Sequence, residues 1–401
     1  MKILQVNCVY NEESTGKIVA DIHNHLKREG ISSIVCFGRG LSKSEENVYR
    51  LCSNVYAKLC KAIKVLVGPM YGGCFLSTKK LIRIINRKKP DIVHLHCING
   101  DIVNIYRIIT YLRDKKIKTL LTLHAEFIYT ANCGYSLDCD KWLTGCGKCP
   151  RLRKETGELL FDWTHYSWKM MKKSFEGFND NIIISSVSPW LESRAKQSPI
   201  LMGKRHCVVL NGINTEQLFH YTSNNRRQAL GLDNKKIILY ITASFNRPIK
   251  GGKYALEIAR RLPEYVLVII GNEDPIDNAP SNTVILGRID DQKVLAEYYS
   301  MADLLLLTSE KETFCMPVAE SLCCGTPVVG FKAGAPEQIA IKEYSCFVEF
   351  GDIDLLEKRV VEYANMSWNK EEISQKAIDK YSSKRMSVEY VNLYKELLDE
   401  D

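Results

Sequence analysis

Short, continuously apolar runs alternate with amphipathic stretches along the whole chain. The runs include KILQVNCV, DIVHLHC and KTLLTLH in the first half, and KIILYITAS, YVLVII and ADLLLLTS in the second. Strands without polar alternation, separated by amphipathic helices, indicate parallel sheets that helices cover on both faces. The pattern predicts an α/β protein with two doubly wound, Rossmann-like domains, which we expect to face each other across a cleft.

Polar turn residues replace this pattern between residues 211 and 236. Such a change in composition indicates a joint between domains. We therefore predict a first domain at 1–212, a second domain at 222–383, and a C-terminal helix at 384–401 that can pack back on the first domain.

The composition is that of a globular protein, with 45% hydrophobic and 25% charged residues in a chain of 401. The net charge of +8 hides an asymmetry, because residues 1–200 carry 31 Lys and Arg against 18 Asp and Glu, whereas the remainder carries 24 against 29. A basic half indicates contact with phosphate in nucleic acid, anionic lipid or a small ligand. Nucleic acid is the poorer candidate, since no aromatic platform is interleaved with the basic residues.

One basic stretch, YAKLCKAIKVLV at residues 56–67, predicts an amphipathic helix. Its apolar face comprises Tyr56, Leu59, Cys60, Ile63, Leu66 and Val67, and its basic face comprises Lys58, Lys61 and Lys64. Such a helix either lies on an anionic membrane surface or packs on a domain core, and the sequence leaves both open. No signal peptide or membrane-spanning run is indicated, so we expect a cytoplasmic protein, with peripheral contact at the inner face of the plasma membrane left open.

The segment EKETFCMPVAESLCCGTPVV, residues 310–329, places two glutamates around the start of a short helix. Pro317 suits the first helical position and Gly325 suits the left-handed residue that ends a helix. Glu312 then lies in the loop before the helix and Glu320 lies early within it. Backbone N–H groups at the helix start favour an anion, and here they belong to Phe314, Cys315 and Met316. The segment indicates a ligand with hydroxyl and phosphate groups; alternatively, Glu320 caps its own helix and Glu312 is solvated.

Two further segments carry features of a phosphate site. The loop in TASFNRPIKGGKYALEIARRL contains Arg247 and Lys250 next to two glycines, which suits a diphosphate leaving group, although surface loops often carry such residues. Near the start of the chain, Ser14, Thr15 and Gly16 precede a predicted helix, either as a helix cap or beside a phosphate. No G-x-G-x-x-G pattern is present there, which disfavours a dinucleotide-binding dehydrogenase.

Histidines and cysteines supply the remaining candidates. His124 ends a predicted strand. His94 and His96 alternate in another strand, so the side chains of these two should lie on one face of it. A structural role for these histidines is the alternative. The loop 133–149 contains four cysteines with the spacing C-x5-C-x6-C-x2-C, namely Cys133, Cys139, Cys146 and Cys149. Four thiolates in a glycine-rich loop predict a structural zinc site, with free thiols or a disulfide as alternatives.

Taken together, these segments resemble the retaining nucleotide-sugar glycosyltransferases of family 4, which have the GT-B fold. The resemblance covers nearly the whole chain, and its most specific element is an E-x7-E motif formed by Glu312 and Glu320. Also similar are GTPVVGFKAGAPEQI at 325–339, the LNGIN segment, the Lys250-Gly251 pair and the strand-ending His124. The cysteine loop resembles one in bacterial members of surface polysaccharide assembly, such as O-antigen or capsule synthesis.

The resemblance implies that the second domain holds a nucleotide diphosphate sugar and the first domain holds a glycan or lipid-linked acceptor. It implies that Glu320 binds ribose, Glu312 contacts the donor sugar, and Arg247 and Lys250 stabilise the departing diphosphate. Other implied contacts are Gly16 beside the diphosphate, His124 on the sugar, backbone near Arg288 and Ile289 on the base, and the donor-binding segment Phe314, Cys315 and Met316. No metal or other cofactor is implied for catalysis.

Two positions depart from the pattern of the family. Phe245 stands where many members carry arginine, five residues before the lysine, and Ala125 stands where aspartate often follows the histidine. Arg247 is the candidate replacement for the missing arginine. A nucleotide-sugar epimerase or hydrolase of the same fold, or a sugar-nucleotide-binding module without turnover, remains an alternative function.

Overall fold

The structure is a computed structural model, and it describes residues 1–40, 45–157 and 160–399. The chain divides into two compact units. Unit 1 comprises Met1–Leu210 together with Met386–Asp401, and unit 2 comprises Asn211–Arg385.

Unit 1 is built on a seven-stranded parallel sheet with the order β3-β2-β1-β4-β5-β6-β7. Its strands are β1 (Lys2–Asn7), β2 (Ser32–Phe37), β3 (Val48–Arg50), β4 (Ile92–Leu95), β5 (Lys118–Leu123), β6 (Ile182–Ser186) and β7 (Arg205–Val208). Its helices are α1 (Glu13–Arg28), α2 (Asn54–Val67), α3 (Phe75–Lys88), α4 (Ile105–Asp114), α5 (Phe127–Thr130), α6 (Thr164–Phe175) and α7 (Pro189–Gln197).

Unit 2 is built on a six-stranded parallel sheet with the order β10-β9-β8-β11-β12-β13. Its strands are β8 (Lys236–Ile241), β9 (Tyr265–Ile270), β10 (Thr283–Ile285), β11 (Leu304–Leu307), β12 (Val328–Phe331) and β13 (Ser345–Val348). Its helices are α8 (Arg226–Ala229), α9 (Gly252–Arg261), α10 (Gln292–Met301), α11 (Met316–Cys323), α12 (Pro336–Ile339), α13 (Ile353–Asn365) and α14 (Lys370–Tyr381). The prediction of two doubly wound α/β domains is confirmed.

Continuous burial explains why the central strands lack polar alternation. Leu4 of β1 pairs with Ile34 on one side and Val93 on the other, and all three side chains are buried. The last helix, α15 (Ser383–Asp399), adds Tyr390 and Tyr394 to the same core that contains β1, β4, β5 and β6. The C-terminal helix therefore completes the core of unit 1.

Each sheet has one point where the strand order reverses direction. In unit 1 this point lies between β1 and β4, and in unit 2 it lies between β8 and β11. Loops that leave two such strands diverge to opposite faces of the sheet, so a crevice opens beyond their carboxyl ends. The fold therefore indicates one ligand crevice for each unit.

A buried ion pair organises the loops beyond β5 in unit 1. Arg194 Nε of α7 donates to Glu126 Oε1 at 2.7 Å, and the Glu126 side chain is only 1% exposed. The same carboxylate accepts from the Tyr129 hydroxyl and the Ser136 amide, and Arg194 Nη2 donates to Ser136 Oγ at 2.7 Å. This network ties the start of the cysteine loop to α5 and α7.

None of the helices in the described ranges is both long enough and apolar enough to cross a bilayer.

The buried pair generates a stability prediction. Arg194→Met should lower the free energy of unfolding by about 3 kcal/mol or more, because Glu126 would be left in a buried site without its cation. The matched control is Arg205→Met in the same unit, since Arg205 pairs with Glu396 and both side chains are well exposed. That control should lower the free energy of unfolding by less than about 1 kcal/mol. Chemical denaturation measures both, and equal losses would show that the Glu126 network is not a stabilising element.

Candidate active site

The helix start in the segment 310–329 has the predicted form. Cys315 adopts a left-handed conformation with φ of 79°, and α11 begins at Met316 with Pro317 in its first turn. Gly325 follows the helix with φ of 78°, and its N–H donates to the Leu322 carbonyl at 2.9 Å. The prediction for Gly325 is therefore confirmed, whereas Pro317 is the second residue of the helix, one place later than predicted.

Glu312 forms an ion pair with Lys250. Lys250 Nζ lies 2.6 Å from Glu312 Oε1, with the two side chains 27% and 10% exposed. The Glu312 backbone is also fixed, because its N–H donates to Ala333 and its carbonyl accepts from Ala335. The alternative of a solvated Glu312 is therefore wrong. The pair joins the loop after β8 to the loop after β11, at the point where the strand order of unit 2 reverses.

The loop that carries Lys250 is held against the end of β11. The Tyr240 hydroxyl donates to the Lys250 carbonyl at 2.6 Å, and Thr308 Oγ1 donates to the Gly251 carbonyl at 2.9 Å. Gly251 has φ of 69°, and a Cβ there would lie 1.9 Å from the Thr308 carbonyl oxygen. Only glycine fits this position, so the backbone fixes the root of the Lys250 side chain.

Phe245 and Arg247 occupy different environments in the same loop. Phe245 is buried in the core of unit 2, and its ring packs edge-on against Tyr240 with centroids 5.6 Å apart. Arg247 is exposed near the tip of the loop. Arg247 is thus the accessible guanidinium of this loop, whereas the position that departs from the family pattern supports the core.

Glu320 is held by the neighbouring helix α10. The Tyr299 hydroxyl donates to Glu320 Oε2 at 2.8 Å, and Tyr299 is fully buried. Burial and the nearby carboxylate raise the pKa of Tyr299 well above its ordinary value, so its hydroxyl remains a donor. Glu320 is the fifth residue of α11 and cannot cap its first turn, so the capping alternative is wrong.

A third carboxylate shapes the loop that Glu312 contacts. Glu337 accepts hydrogen bonds from the amides of Ala333 and Gly334, each at 2.9 Å. Gly334 has φ of 101° and forms a β-bridge with Glu312. Glu337 therefore stabilises the segment against which the Glu312 backbone lies.

Arg288 and Ile289 lie in the loop after β10. The Gly287 carbonyl accepts from the Gly271 amide at 2.6 Å, which ties this loop to the end of β9. The Arg288 side chain is exposed and its Nε lies 2.7 Å from Asp290 Oδ1. The loops that carry Lys250, Arg288, Glu312 and Gly334 thus all follow carboxyl ends of strands in one parallel sheet.

In unit 1, His124 ends a row of three buried histidines. His96 Nδ1 lies 3.2 Å from His124 Nε2, and the rings of His94 and His96 stack with centroids 3.8 Å apart. His94 is fixed by the Tyr394 hydroxyl at 2.7 Å and by Thr122 Oγ1 at 2.8 Å. The prediction that His94 and His96 share one face is confirmed. Burial lowers the pKa of His124 to about 4, so its ring is neutral at neutral pH.

Gly16 lies inside the first turn of α1. The helix begins at Glu13, so Ser14 and Thr15 are not its caps, and the interpretation of these two residues as a helix cap is wrong. A Cβ at Gly16 would lie 3.0 Å from Val9 Cγ2 and 3.2 Å from the Asn11 amide nitrogen. Glycine therefore lets the loop after β1 approach the helix closely.

The four cysteines of the loop 133–149 line one small cavity of about 20 Å³. No disulfide joins cysteines anywhere in the described chain. The loop reverses through left-handed residues at Gly145, Cys146, Gly147 and Lys148. Across residues 1–40, 45–157 and 160–399, no group of three or more His, Cys, Asp or Glu side chains has the disposition of a metal site. The zinc site therefore stays a prediction.

Sequence reasoning missed the contacts that support the candidate residues. Glu126 and Arg194 are 68 positions apart, and His94 and Tyr394 are 300 apart. For the first pair, the one available signal in the sequence was the position of Glu126, two residues after His124. Nothing local in the sequence indicates the second.

Residues 222–384 match the family described as glycosyl transferases group 1. The chain is 23% identical over 416 residues to WcaC of Escherichia coli K12, whose description is a glycosyl transferase of colanic acid biosynthesis, with 99% of this chain and 100% of WcaC covered. It is also 23% identical over 335 residues to the N-acetyl-alpha-D-glucosaminyl L-malate synthase of Bacillus anthracis, with 80% and 79% covered.

Solved structures share the fold over their whole length. A sucrose-phosphate synthase from Thermosynechococcus elongatus superposes with a TM-score of 0.72 at 15% identity, covering 100% of both chains. Anabaena HepE in complex with UDP-glucose gives a TM-score of 0.62 at 13% identity, covering 99% of this chain and 100% of HepE. The chain therefore has the GT-B fold, and its residues 222–384 are similar to the group 1 glycosyltransferase family.

Proposed function

We propose that the protein is a retaining glycosyltransferase of family 4. It moves a sugar from a nucleotide diphosphate sugar to a hydroxyl of a growing, lipid-linked glycan in bacterial surface polysaccharide synthesis. The observation that carries the proposal is the 2.6 Å ion pair between Lys250 and Glu312 at the strand-order reversal of unit 2. The WcaC relative and the HepE complexes with UDP and UDP-glucose support the substrate class.

Lys250 is the proposed stabiliser of the leaving group. Cleavage of the glycosidic C–O bond builds negative charge on the diphosphate, and a fixed ammonium lowers the energy of that state more than it lowers the energy of the bound donor. Glu312 holds the ammonium in place before the donor binds. Arg247, exposed in the same loop, supplies a second cation for the diphosphate.

We propose the roles of the other donor-binding residues from the resemblance to the family. Glu320, fixed by Tyr299, accepts from ribose hydroxyls, and the helix start at Phe314, Cys315 and Met316 supplies N–H donors. Backbone at Arg288 and Ile289 meets the base. In unit 1, Gly16 leaves room for the diphosphate, and the neutral His124 hydrogen-bonds the transferred sugar without adding positive charge.

The proposed reaction needs no dedicated protein base. The acceptor hydroxyl attacks the anomeric carbon from the face that the diphosphate leaves, which retains the anomeric configuration. The departing phosphate oxygen takes the proton of the attacking hydroxyl as the new C–O bond forms. Charge and protons therefore balance between donor and acceptor, without a catalytic metal.

We place the acceptor in the crevice of unit 1 where its strand order reverses. A cavity of about 380 Å³ lies there, lined by residues of both charges, namely Glu12, Glu13, Arg39, Lys58, Lys61 and Asp101, together with small and apolar residues. Carboxylates suit sugar hydroxyls, while the lysines and Arg39 suit the phosphate of a lipid-linked acceptor. This placement gives three basic residues of the first half a specific role.

The glycine-rich cysteine loop is proposed to hold a structural zinc ion. Four thiol side chains that line one cavity match the donor set that zinc prefers, and a tetrahedral site would crosslink the loop. Zinc would supply stability there and no chemistry. The loop is tied through Ser136 to the Glu126 network, so the metal would also stabilise the surroundings of His124.

The proposed reaction predicts a specific product. Purified protein incubated with a panel of nucleotide sugars and a lipid-linked acceptor should release nucleotide diphosphate and form a glycoside, with chelator causing no loss of rate. Proton NMR of the new anomeric centre should show the configuration of the donor. Inversion would contradict the mechanism, and an altered sugar nucleotide without glycoside would identify an epimerase instead.

Lys250→Ala should lower kcat by roughly 100- to 1,000-fold and change donor affinity much less, because the ammonium acts mainly on the departing diphosphate. Lys253→Ala, an exposed lysine in the same unit, is the matched control and should retain nearly full activity. The double variant Lys250→Met with Glu312→Gln removes both charges, so neither partner of the ion pair is left without the other. Its melting temperature checks that the loss of activity is not a loss of folding. Equal losses in kcat and donor affinity would assign Lys250 to ground-state binding.

Elemental analysis of protein purified without chelator should find about one zinc ion per chain. Replacing Cys146 and Cys149 by serine should abolish it and lower the melting temperature. Cys207→Ser, a half-buried cysteine outside the loop, is the control and should leave the zinc content unchanged. Zinc-free protein with an unchanged melting temperature in chelator would contradict the site.

A further inference from the structure

The outer faces of α2 and α3 in unit 1 expose a cluster of large apolar side chains. Those of Val55, Leu59, Ile63 and Leu66 on α2, and of Phe75 and Leu76 at the start of α3, are 52–77% exposed. The two helices meet there, because the Leu76 amide donates to the Tyr56 hydroxyl at 3.0 Å. We call these six side chains the α2–α3 surface. An exposed apolar cluster of this size indicates an interaction site.

The sequence left open whether the apolar face of α2 packs on the domain core. Among the residues that the structure describes, most of this face does not pack on the core. Leu59, Ile63 and Leu66 face outward, whereas Tyr56 and Cys60 are half-buried. The Val67 side chain lies outside the described part. The inward side of α2 is fixed separately by Ala57, which is buried, and by Lys64, which pairs with Asp101 at 3.0 Å. The helix is thus anchored on one side while most of its apolar face remains uncovered.

Exposed basic residues flank this surface. Lys58 and Lys61 border the apolar arc of α2, and Lys79 and Arg83 continue the exposed side of α3 after Phe75 and Leu76. Three acidic groups, Glu12, Glu13 and Asp101, face the neighbouring cavity together with Lys58 and Lys61. An apolar centre with a basic rim is the combination that inserts into the headgroup region of an anionic bilayer.

We propose that the α2–α3 surface docks unit 1 onto an anionic lipid bilayer. Its apolar side chains enter the boundary between headgroups and acyl chains, and the surrounding lysines and arginine pair with lipid phosphates. A second copy of this chain is a poorer occupant, because it would bring the two basic rims together. A polyanion such as nucleic acid would leave the apolar side chains in water.

The location of the surface connects it with the proposed acceptor site. Lys58 and Lys61 lie on α2 and also line the 380 Å³ cavity at the strand-order reversal of unit 1. Docking through α2 would therefore hold that cavity close to the headgroups, where a lipid-linked acceptor presents its phosphate. The membrane contact itself does not depend on the proposed reaction.

Co-sedimentation of the purified full-length chain with vesicles tests the proposal without any sugar donor. The protein should bind vesicles of phosphatidylcholine mixed with phosphatidylglycerol, bind phosphatidylcholine alone much less, and lose binding as ionic strength rises. Leu59→Gln with Ile63→Gln should lower the partition coefficient by at least roughly tenfold. Lys79→Gln with Arg83→Gln should lower it by roughly tenfold at low ionic strength.

Matched controls come from the same unit. Met202→Gln removes an equally exposed apolar side chain, and Lys115→Gln removes an exposed charge, both outside the surface. Both controls should bind like the original protein, and all variants should keep the original melting temperature because the altered side chains are exposed. Binding that all four variants share equally would overturn the proposal. So would failure to bind either vesicle, or a dimer in sedimentation velocity that Leu59→Gln with Ile63→Gln converts to monomer.

Discussion

The ion pair between Lys250 and Glu312 is the interaction around which the candidate donor site is arranged. It joins the loops that leave β8 and β11, the two strands at which the sheet of unit 2 changes direction. Each partner is independently fixed, Lys250 by the backbone contact of Gly251 with Thr308 and Glu312 by the segment that Glu337 stabilises. The charges are therefore held before any ligand arrives, which is the condition for stabilising charge that develops during a reaction.

In unit 1, a different set of contacts fixes the loops beyond the strands. Glu126 and Arg194 form a buried pair beside β5, and His124 is positioned by His96 within a row that reaches Tyr394 of the last helix. Both networks use side chains from distant parts of the chain to fix loops beyond the carboxyl ends of strands. In each unit, rigid contacts below the loops leave the residues at the loop tips exposed, as Arg247 shows.

The sequence predicted the two sheets because their central strands are continuously apolar, and it predicted the helix start at Pro317 and its end at Gly325 because those residues have strong backbone preferences. It missed β3 and β13, since short, half-buried edge strands carry no such run. The cap assigned to Ser14 and Thr15 failed because the helix begins slightly earlier than they suggested. The pairing of Lys250 with Glu312 could not be derived from the sequence, because no local pattern fixes a contact between residues 62 positions apart.

The central claim is that the Lys250–Glu312 pair marks the diphosphate position of a nucleotide sugar. The most direct measurement is a crystal structure of the protein with a nucleoside diphosphate. The account predicts that the terminal phosphate lies within hydrogen-bonding distance of Lys250 Nζ, with the ribose at Glu320. A nucleotide whose terminal phosphate lies away from Lys250, for example in the cavity of about 530 Å³ that Phe245, Arg247, Lys253 and Phe350 line, would contradict it.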